Sequence, residues 1–301
     1  MSILLSNEIM IAVEKELKTA TESVQIITAY CKENAINQLN SYISSNVEEK
    51  RIMLRFRLDD IVKGSTDFAV IDFCRRAGWS VYIRFDLHAK TYIVDRKRGF
   101  VGSANATNSG LNLIPHGNIE MGTLVDIDEA DVNKIEALYN DAIFVDNLVY
   151  KKLKNQYQEI KSNESKPTYA WNDEIRKLFN PKISTLFSYE LPEKDKYILG
   201  ENISFLETVY TGDEVALKEA FRWSNAYLWL LNILKENNGC LYFGTITEKL
   251  HSALVSDPKP YRKDVKLLLS NLLTMIEELD MDEIVIDRPN YSQRVRLREV
   301  C

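Results

Sequence analysis

Hydrophobic positions in the first half of the chain alternate between helical and strand spacing. Helical spacing predicts helices over residues 7–20, 34–45 and 66–77. Short apolar runs rich in β-branched residues predict strands over residues 24–30, 52–57, 79–85 and 118–127. Helices that alternate with strands in this way indicate a layered α/β domain with a mixed sheet.

The pattern changes after a polar segment. Residues 128–161 have helical spacing throughout, with a weak break near 146–147, and residues 162–168 are polar and contain Pro167. We therefore predict a first domain over residues 1–161, a linker over 162–168 and a second domain over 169–301.

The second domain is predicted to be mainly helical. The spacing predicts a long helix, a short strand, two helices and a β-hairpin, over residues 215–237, 241–243, 245–254, 261–279 and 283–297. This order of elements resembles that of a winged-helix domain. In such a domain the third helix would enter the major groove of DNA and the hairpin would touch the backbone.

Basic side chains at the start of that third helix and in the hairpin are candidate DNA contacts. They are Arg262, Lys263, Lys266, Arg288, Arg294 and Arg296. An acidic stretch between them, residues 277–283, would have to face away from DNA. The same charges also fit a solvated helix and an ordinary exposed hairpin, and winged-helix domains also bind proteins.

A cluster of polar residues interrupts the apolar pattern near residue 90. His88 and Lys90 are two residues apart and so share one face of a strand, and Ser103 and Asn105 repeat that spacing after a second short run. An imidazole beside an ammonium forms a good binding site for a phosphate, and hydroxyl and amide groups can donate hydrogen bonds to anionic oxygens. The set suits phosphoryl transfer without a metal. The alternative is a structural histidine beside a surface lysine.

These residues resemble the signature of the phospholipase D superfamily. That signature is His-x-Lys, four residues, Asp, a six-residue gap and Gly-Ser-x-Asn. Here it reads His88, Lys90, Asp95, Gly102, Ser103 and Asn105, with every interval matched. The resemblance implies a mixed-sheet α/β/α sandwich, in agreement with the predicted elements.

The resemblance also implies roles for single residues. His88 would attack phosphorus to form a phosphohistidine, Lys90 and Asn105 would hold the non-bridging oxygens, and Ser103 would add a donor. Glu120, at about the family's position on the next strand, would fix the tautomer of the nucleophilic imidazole; the alternative is a surface acid on an edge strand. We expect Asp95 to organise the turn after the motif strand rather than to touch substrate.

The superfamily's mechanism uses two histidines, and this sequence holds one copy of the motif. The other histidines are His116 and His251, and neither is followed two residues later by lysine. Single-motif members solve this shortage by dimerising. The resemblance therefore implies a homodimer in which two copies of His88 form one composite active site.

Charge and composition bear on the partners, the compartment and the cofactors expected of this protein. The net charge is −6, so a nucleic-acid surface would have to be a local basic patch on an acidic body. The first residues lack an export signal, no apolar run approaches membrane-spanning length, and the four cysteines are scattered, so we expect a cytoplasmic protein away from membranes. Carboxylates with ligand spacing are not evident, and we expect neither a metal nor another cofactor.

The motif specifies a reaction type but not a substrate. In the superfamily, lipid-processing members usually carry two motifs, and exported nucleases are short single domains with a signal peptide. One motif followed by a second domain looks most like the restriction-endonuclease branch. We therefore expect a DNA endonuclease acting on double-stranded DNA, in restriction or defence. A phosphodiesterase for lipids or small molecules and a DNA- or protein-binding scaffold remain as alternatives.

Overall fold

A computed structural model of the protein describes residues 2–161 and 169–298. It divides into two compact units, Met1–Phe179 and Asn180–Cys301. The linker predicted over residues 162–168 lies outside the described residues. The second unit begins later than the predicted residue 169, because residues 169–179 pack within the first unit. There the Trp171 indole stacks on Phe56 and donates to its carbonyl at 2.6 Å.

The first unit is built around one mixed sheet. Its elements are β1 (Ile3–Leu5), α1 (Asn7–Lys18), β2 (Ser23–Thr28), α2 (Glu33–Ser41), β3 (Glu49–Arg55), α3 (Leu58–Val62), α4 (Ala69–Arg76), β4 (Ser80–Arg84), β5 (Lys90–Val94), β6 (Arg98–Gly102), β7 (Met121–Asp126), α5 (Glu129–Asn140), β8 (Ile143–Phe144), α6 (Asn147–Lys161) and α7 (Asp173–Arg176). Among the described residues the strand order is β1-β7-β6-β5-β2-β3-β4-β8. Strands β2, β3 and β4 are parallel and the other pairs are antiparallel, which confirms the predicted mixed sheet.

Helices lie on both faces of this sheet. Lys50 of β3 donates to a carbonyl at the end of α4, and Arg98, in the same row of paired residues, forms an ion pair with Glu16 of α1. The next residue of β3, Arg51, pairs with Glu136 of α5. Successive strand residues point to opposite faces, so α5 covers the face opposite α1 and α4. The first unit is thus an α/β/α sandwich, as predicted.

The face that carries α5 is not covered evenly. Met53 of β3 is buried in a cluster with Tyr139 of α5, but the same row of paired residues ends in exposed side chains on β6 and β1. Four apolar residues of β1, β6 and β7 on this face are between 43% and 68% exposed: Ile3, Leu5, Val101 and Met121. We call these four residues the open face.

Two long predicted helices are interrupted in the structure. Between α5 and α6 the chain adds β8, whose Ile143 is buried and pairs with β4 at the sheet edge. The helix predicted over residues 215–237 is two helices, because the Ser224 hydroxyl accepts from the Tyr227 N–H and caps a new start. The weak break predicted near 146–147 coincides with the start of α6 at Asn147. Strand β8 and the break at Ser224 were not predicted, because they depend on tertiary packing and on a single cap.

The second unit is mainly helical. Its elements are β9 (Asn202–Ile203), β10 (Thr208–Val209), α8 (Glu214–Arg222), α9 (Asn225–Glu236), β11 (Cys240–Tyr242), α10 (Phe243–Ala253), α11 (Arg262–Glu278), β12 (Ile284–Asp287) and β13 (Arg294–Leu297). From α9 onward this is the predicted order of helix, strand, two helices and hairpin. Strand β13 lies between β11 and β12, and buried side chains including Leu230, Ile246, Leu269 and Val295 form the core.

Candidate active site

The motif residues meet at one edge of the large sheet. β5 begins at Lys90, β6 ends at Gly102 and β7 begins at Met121. Because β6 is antiparallel to both neighbours, these three strand ends lie side by side. Five predicted site residues lie at or next to these ends: His88, Lys90, Ser103, Asn105 and Glu120. His88 itself precedes β5, so the motif straddles the start of the strand rather than lying within it.

Lys90 is buried beneath the exposed His88. The Lys90 side chain donates from Nζ to the His88 carbonyl at 2.5 Å, and the residue is 9% exposed. Burial lowers the pKa of Lys90, the nearby Arg55 charge lowers it further, and Glu120 opposes both. The bond to the carbonyl holds the backbone of His88 next to the ammonium.

The orientation of Asn105 is set by the backbone. Its Oδ1 accepts from the Tyr30 N–H at 3.0 Å and from the Thr28 hydroxyl at 3.3 Å. A backbone N–H can only donate, so the amide oxygen must face it. The Nδ2 protons are then the part of Asn105 that can turn to an anion.

Glu120 lies in a polar network beside the motif. It is 7% exposed, so the alternative of a surface acid is wrong. The Ser103 hydroxyl donates to Glu120 Oε2, and Asn118 Nδ2 donates to Oε1 at 3.0 Å. Ser103 also accepts from the Met121 N–H at 3.0 Å. Ser103, predicted to donate to an anion, thus directs its proton to Glu120 and holds that carboxylate in place.

Asp95 lies away from this edge. It follows β5 at the end opposite Lys90, and five strand residues span roughly 16 Å. Its carboxylate accepts from the backbone N–H groups of Thr21, Glu22 and Ser23. Asp95 therefore anchors the start of β2, and the structure does not bring it to the site with the other motif residues.

Two residues at the edge were not predicted. Arg55 ends β3, stacks over the Tyr30 ring at 4.5 Å and donates to the Tyr30 hydroxyl. Its Nε and Nη2 also donate to the two oxygens of Asp60 at 2.8 and 2.9 Å. Tyr30 and Arg55 come to the same edge because β2 and β3 are parallel, and this pairing is set by the tertiary structure.

The other histidines lie outside the motif. His116 is exposed in the loop that joins β6 to β7, with a φ of 60°, and His251 is half-buried on α10 of the second unit. His88 is therefore the one histidine of the motif.

The basic residues predicted to contact DNA divide into two groups. Arg294 and Arg296 both pair with Asp287 of the same hairpin, and this contact raises the pKa of Arg294 and lowers that of Asp287. Lys263, Lys266 and Arg288 are exposed, and exposed Arg262 pairs with Glu248 at 3.2 Å. In the acidic stretch, Glu283 is engaged by Arg222 and by the Tyr227 hydroxyl.

Within residues 2–161 and 169–298, no group of three or more His, Cys, Asp and Glu side chains could hold a metal ion. No helix in those ranges combines the length and apolar character needed to cross a bilayer.

No curated protein matches the chain. The Nuc protein of Salmonella typhimurium, a phospholipase D family member, is similar in structure with 16% identity and a TM-score of 0.38, over 48% of this chain and 97% of Nuc. NucT of Helicobacter pylori matches with 16% identity and a TM-score of 0.37, over 48% of this chain and 98% of NucT. Phosphatidylserine synthase of Haemophilus influenzae matches with 15% identity and a TM-score of 0.36, over 54% of this chain and 46% of the synthase.

A family match covers the residues that build the site. Residues 13–142 match the family described as "Cardiolipin synthase, PLD-like domain". This range includes the strands of the mixed sheet from β2 to β7 and all five residues gathered at its edge. The first unit of this protein is a phospholipase D-like domain and belongs to the phospholipase D superfamily.

Proposed function

We propose that the protein is a metal-independent phosphodiesterase that cleaves DNA as an endonuclease. The observation that carries this proposal is that Lys90 and Asn105 lie at the same sheet edge with donors left for a ligand. Tyr30 holds the Asn105 oxygen, so the Nδ2 donors and the Lys90 ammonium are what the site offers to an anion. A cation and fixed donors around one position stabilise the charge that shifts among phosphoryl oxygens.

The proposed reaction has two displacements. In the first, a ring nitrogen of His88 attacks phosphorus, an N–P bond forms, and the P–O bond to the leaving strand breaks. The leaving oxygen takes a proton from a second imidazole. Water then attacks phosphorus, gives a proton to that imidazole and breaks the N–P bond, which regenerates His88. Glu120, held by Ser103 and Asn118, is the carboxylate proposed to orient the His88 ring.

We propose that the second imidazole is His88 of the partner subunit in a homodimer. One supporting observation is that the sequence holds one copy of the motif and so one motif histidine. The other is the open face, whose residue Met121 directly follows Glu120 in sequence. Exposed apolar side chains of this kind mark protein interfaces. A second copy on the open face would bury them beside the site.

The second unit is proposed to bind double-stranded DNA in the manner of a winged-helix domain, with α11 in the major groove. Exposed Lys263 and Lys266 on α11 and exposed Arg288 before the hairpin turn support this. Arg262 is exposed but paired with Glu248, and Arg294 and Arg296 share Asp287, so we assign these three a smaller part of the binding energy. Such an enzyme would serve in restriction or defence.

Cleavage of supercoiled plasmid in EDTA tests the catalytic proposal. We expect nicked or linear product from the native protein and a loss of at least about a thousandfold for His88→Ala. His251→Ala, which removes a histidine from the second unit, is the matched control and should cleave like the native protein. Plasmid left intact while bis(4-nitrophenyl) phosphate is hydrolysed would favour a small-molecule phosphodiesterase. DNA binding without any turnover would favour a scaffold.

The DNA-binding proposal has a separate test in the salt dependence of binding. Lys263→Gln combined with Lys266→Gln should weaken binding to duplexes of any sequence and reduce the slope of log K against log[salt] by about 2. Lys194→Gln combined with Lys196→Gln is the matched control, because it also removes two charges, from lysines outside α11 and the hairpin that are paired with Glu201 and Glu278. Equal losses for the double variant and the control would contradict the assignment to α11.

A further inference from the structure

A second cation lies at the same sheet edge as Lys90. Lys90 of β5 pairs with Thr28 of β2, which pairs with Leu54 of β3, so Arg55 is one residue beyond this row. Two strand spacings separate the backbones of Lys90 and Arg55 by roughly 10 Å. Because successive strand residues alternate between faces, Arg55 leaves the sheet on the face of α5 and Lys90 on the other, so the two side chains can meet only around the strand ends at this edge. The two charges interact, as the lowered pKa of Lys90 reflects.

The guanidinium of Arg55 is fixed on one side. Its Nε and Nη2 donate to Asp60, Nη2 also donates to the Tyr30 hydroxyl, and the group stacks on the Tyr30 ring. For Nη1, no hydrogen bond is found to any described residue. The Tyr30 N–H is in turn held by Asn105. One residue, Tyr30, thus positions both the Asn105 amide and the Arg55 guanidinium.

The ion pair with Asp60 does not use the whole guanidinium. Asp60 balances the charge of Arg55 through Nε and Nη2 and leaves Nη1 for a ligand, at a partly buried edge where the Arg55 side chain is 14% exposed. A single diester carries one negative charge, which Lys90 can match alone. Arg55 Nη1 would donate to the oxygens of a second phosphate, and guanidinium groups bind phosphate oxygens strongly.

We propose that Arg55 binds a phosphate next to the scissile one, so that the site selects strands with successive phosphates over isolated diesters. This inference rests on the proposed phosphodiesterase function and names its substrate class as a polynucleotide strand. Asp60 and Tyr30 act as positioning residues for Arg55.

The thymidine dinucleotide TpT and its forms with one added terminal phosphate, pTpT and TpTp, provide the test. The native protein should cleave one phosphorylated form with a kcat/KM about tenfold or more above that of TpT, mainly through KM. Arg55→Gln should bring this ratio close to one. The ratio compares substrates on one protein, so a general loss of activity cancels. Arg76→Gln, which removes an exposed arginine on α4, should keep the native ratio.

Binding to the His88→Ala protein gives a readout that needs no turnover. The affinity ratio of the phosphorylated form to TpT should be high with Arg55 and should collapse with Arg55→Gln added. Arg55→Lys keeps the charge but loses the planar set of guanidinium donors, so it should keep part of the ratio. This variant replaces Arg55→Gln in the test if the glutamine variant does not fold. A native ratio near one, or an unchanged ratio in the Arg55 variants, would overturn the inference. Cleavage of plasmid decides the proposed function separately, and the binding ratio decides the role of Arg55 even if none of the three dinucleotides is cleaved.

Discussion

At the scale of single residues, hydrogen bonds within the protein decide which donors of the site remain for a ligand. Asn105 uses its oxygen on the Tyr30 backbone, Ser103 uses its proton on Glu120, and Lys90 gives one proton to the His88 carbonyl. An ammonium has three donors and an amide nitrogen two, so Lys90 and Asn105 retain donors for a ligand. Ser103 instead acts through the carboxylate that it holds.

Replacing Asn105 by aspartate tests this division. The carboxylate would still accept from the Tyr30 N–H, so the fold and thermal midpoint should change little. The Nδ2 donors would be replaced by an anionic oxygen facing the phosphate, and kcat/KM on bis(4-nitrophenyl) phosphate should fall by about 100- to 1000-fold. Asn108→Asp is the matched control, because Asn108 also uses its Oδ1 as an acceptor, from Asn34. Similar activity in the two variants would contradict the assignment.

The lowered pKa of Lys90 predicts the alkaline limit of activity. The ammonium form is needed to hold the phosphate, so kcat/KM should decline as pH rises through this pKa, at a lower pH than for an exposed lysine. Arg55→Gln removes a charge that lowers the pKa and should move the decline to higher pH. Glu120→Gln removes a charge that raises it and should move the residual decline to lower pH. Profiles on bis(4-nitrophenyl) phosphate check this, and shifts in the same direction for both variants would refute it.

At the scale of elements, the two ends of β5 serve different purposes. The start of the strand holds the motif, and the other end is tied by Asp95 to the backbone before β2. These contacts keep β2 and β5 in register, which in turn brings Thr28 and Tyr30 to Asn105. The aspartate of the motif therefore supports the site through strand alignment.

The Asp95 contacts should make stability depend on pH. Hydrogen bonds from Ser23, Glu22 and Thr21 lower the pKa of Asp95 despite its burial. A lowered pKa contributes stability above the unfolded value of about 3.9, and this is lost as pH falls through the folded value. Asp95→Ala should cost about 1–3 kcal/mol of unfolding free energy near neutral pH. Urea titrations should show this difference narrow below about pH 4, and a constant difference would contradict the role.

At the scale of the whole molecule, the central question is where the second imidazole comes from. The sequence holds one copy of the motif, and the described part of the first unit leaves the four apolar side chains of the open face exposed. Burial of apolar area drives association, and a two-fold axis pairs identical surfaces. A dimer formed through the open face would supply the second imidazole and bury the exposed apolar side chains.

Mixed dimers test the composite site directly. If two copies of His88 serve one reaction, a dimer of one native and one His88→Ala subunit should have almost no activity. Independent sites would instead leave about half. Differently tagged subunits, co-expressed and purified through both tags, provide this species, and a native–His251→Ala dimer is the control. An active monomer in sedimentation analysis, or half activity in the mixed dimer, would contradict the proposed composite site.

Local pattern was sufficient for the alternating elements of the first unit, the order of elements after residue 225 and the spacing of His88, Lys90, Ser103 and Asn105. These features depend on strand and helix periods and on fixed intervals, which are properties of neighbouring residues. The sequence alone thus determined the α/β class and the candidate phosphate-binding residues. Tertiary structure decided which residues complete it, because Arg55 and Tyr30 reach the edge only through the pairing of β3, β2 and β5. It also set the partners of Asp95, Arg294 and Arg296, since hydrogen-bond partners that are not sequence neighbours are set by strand register and packing.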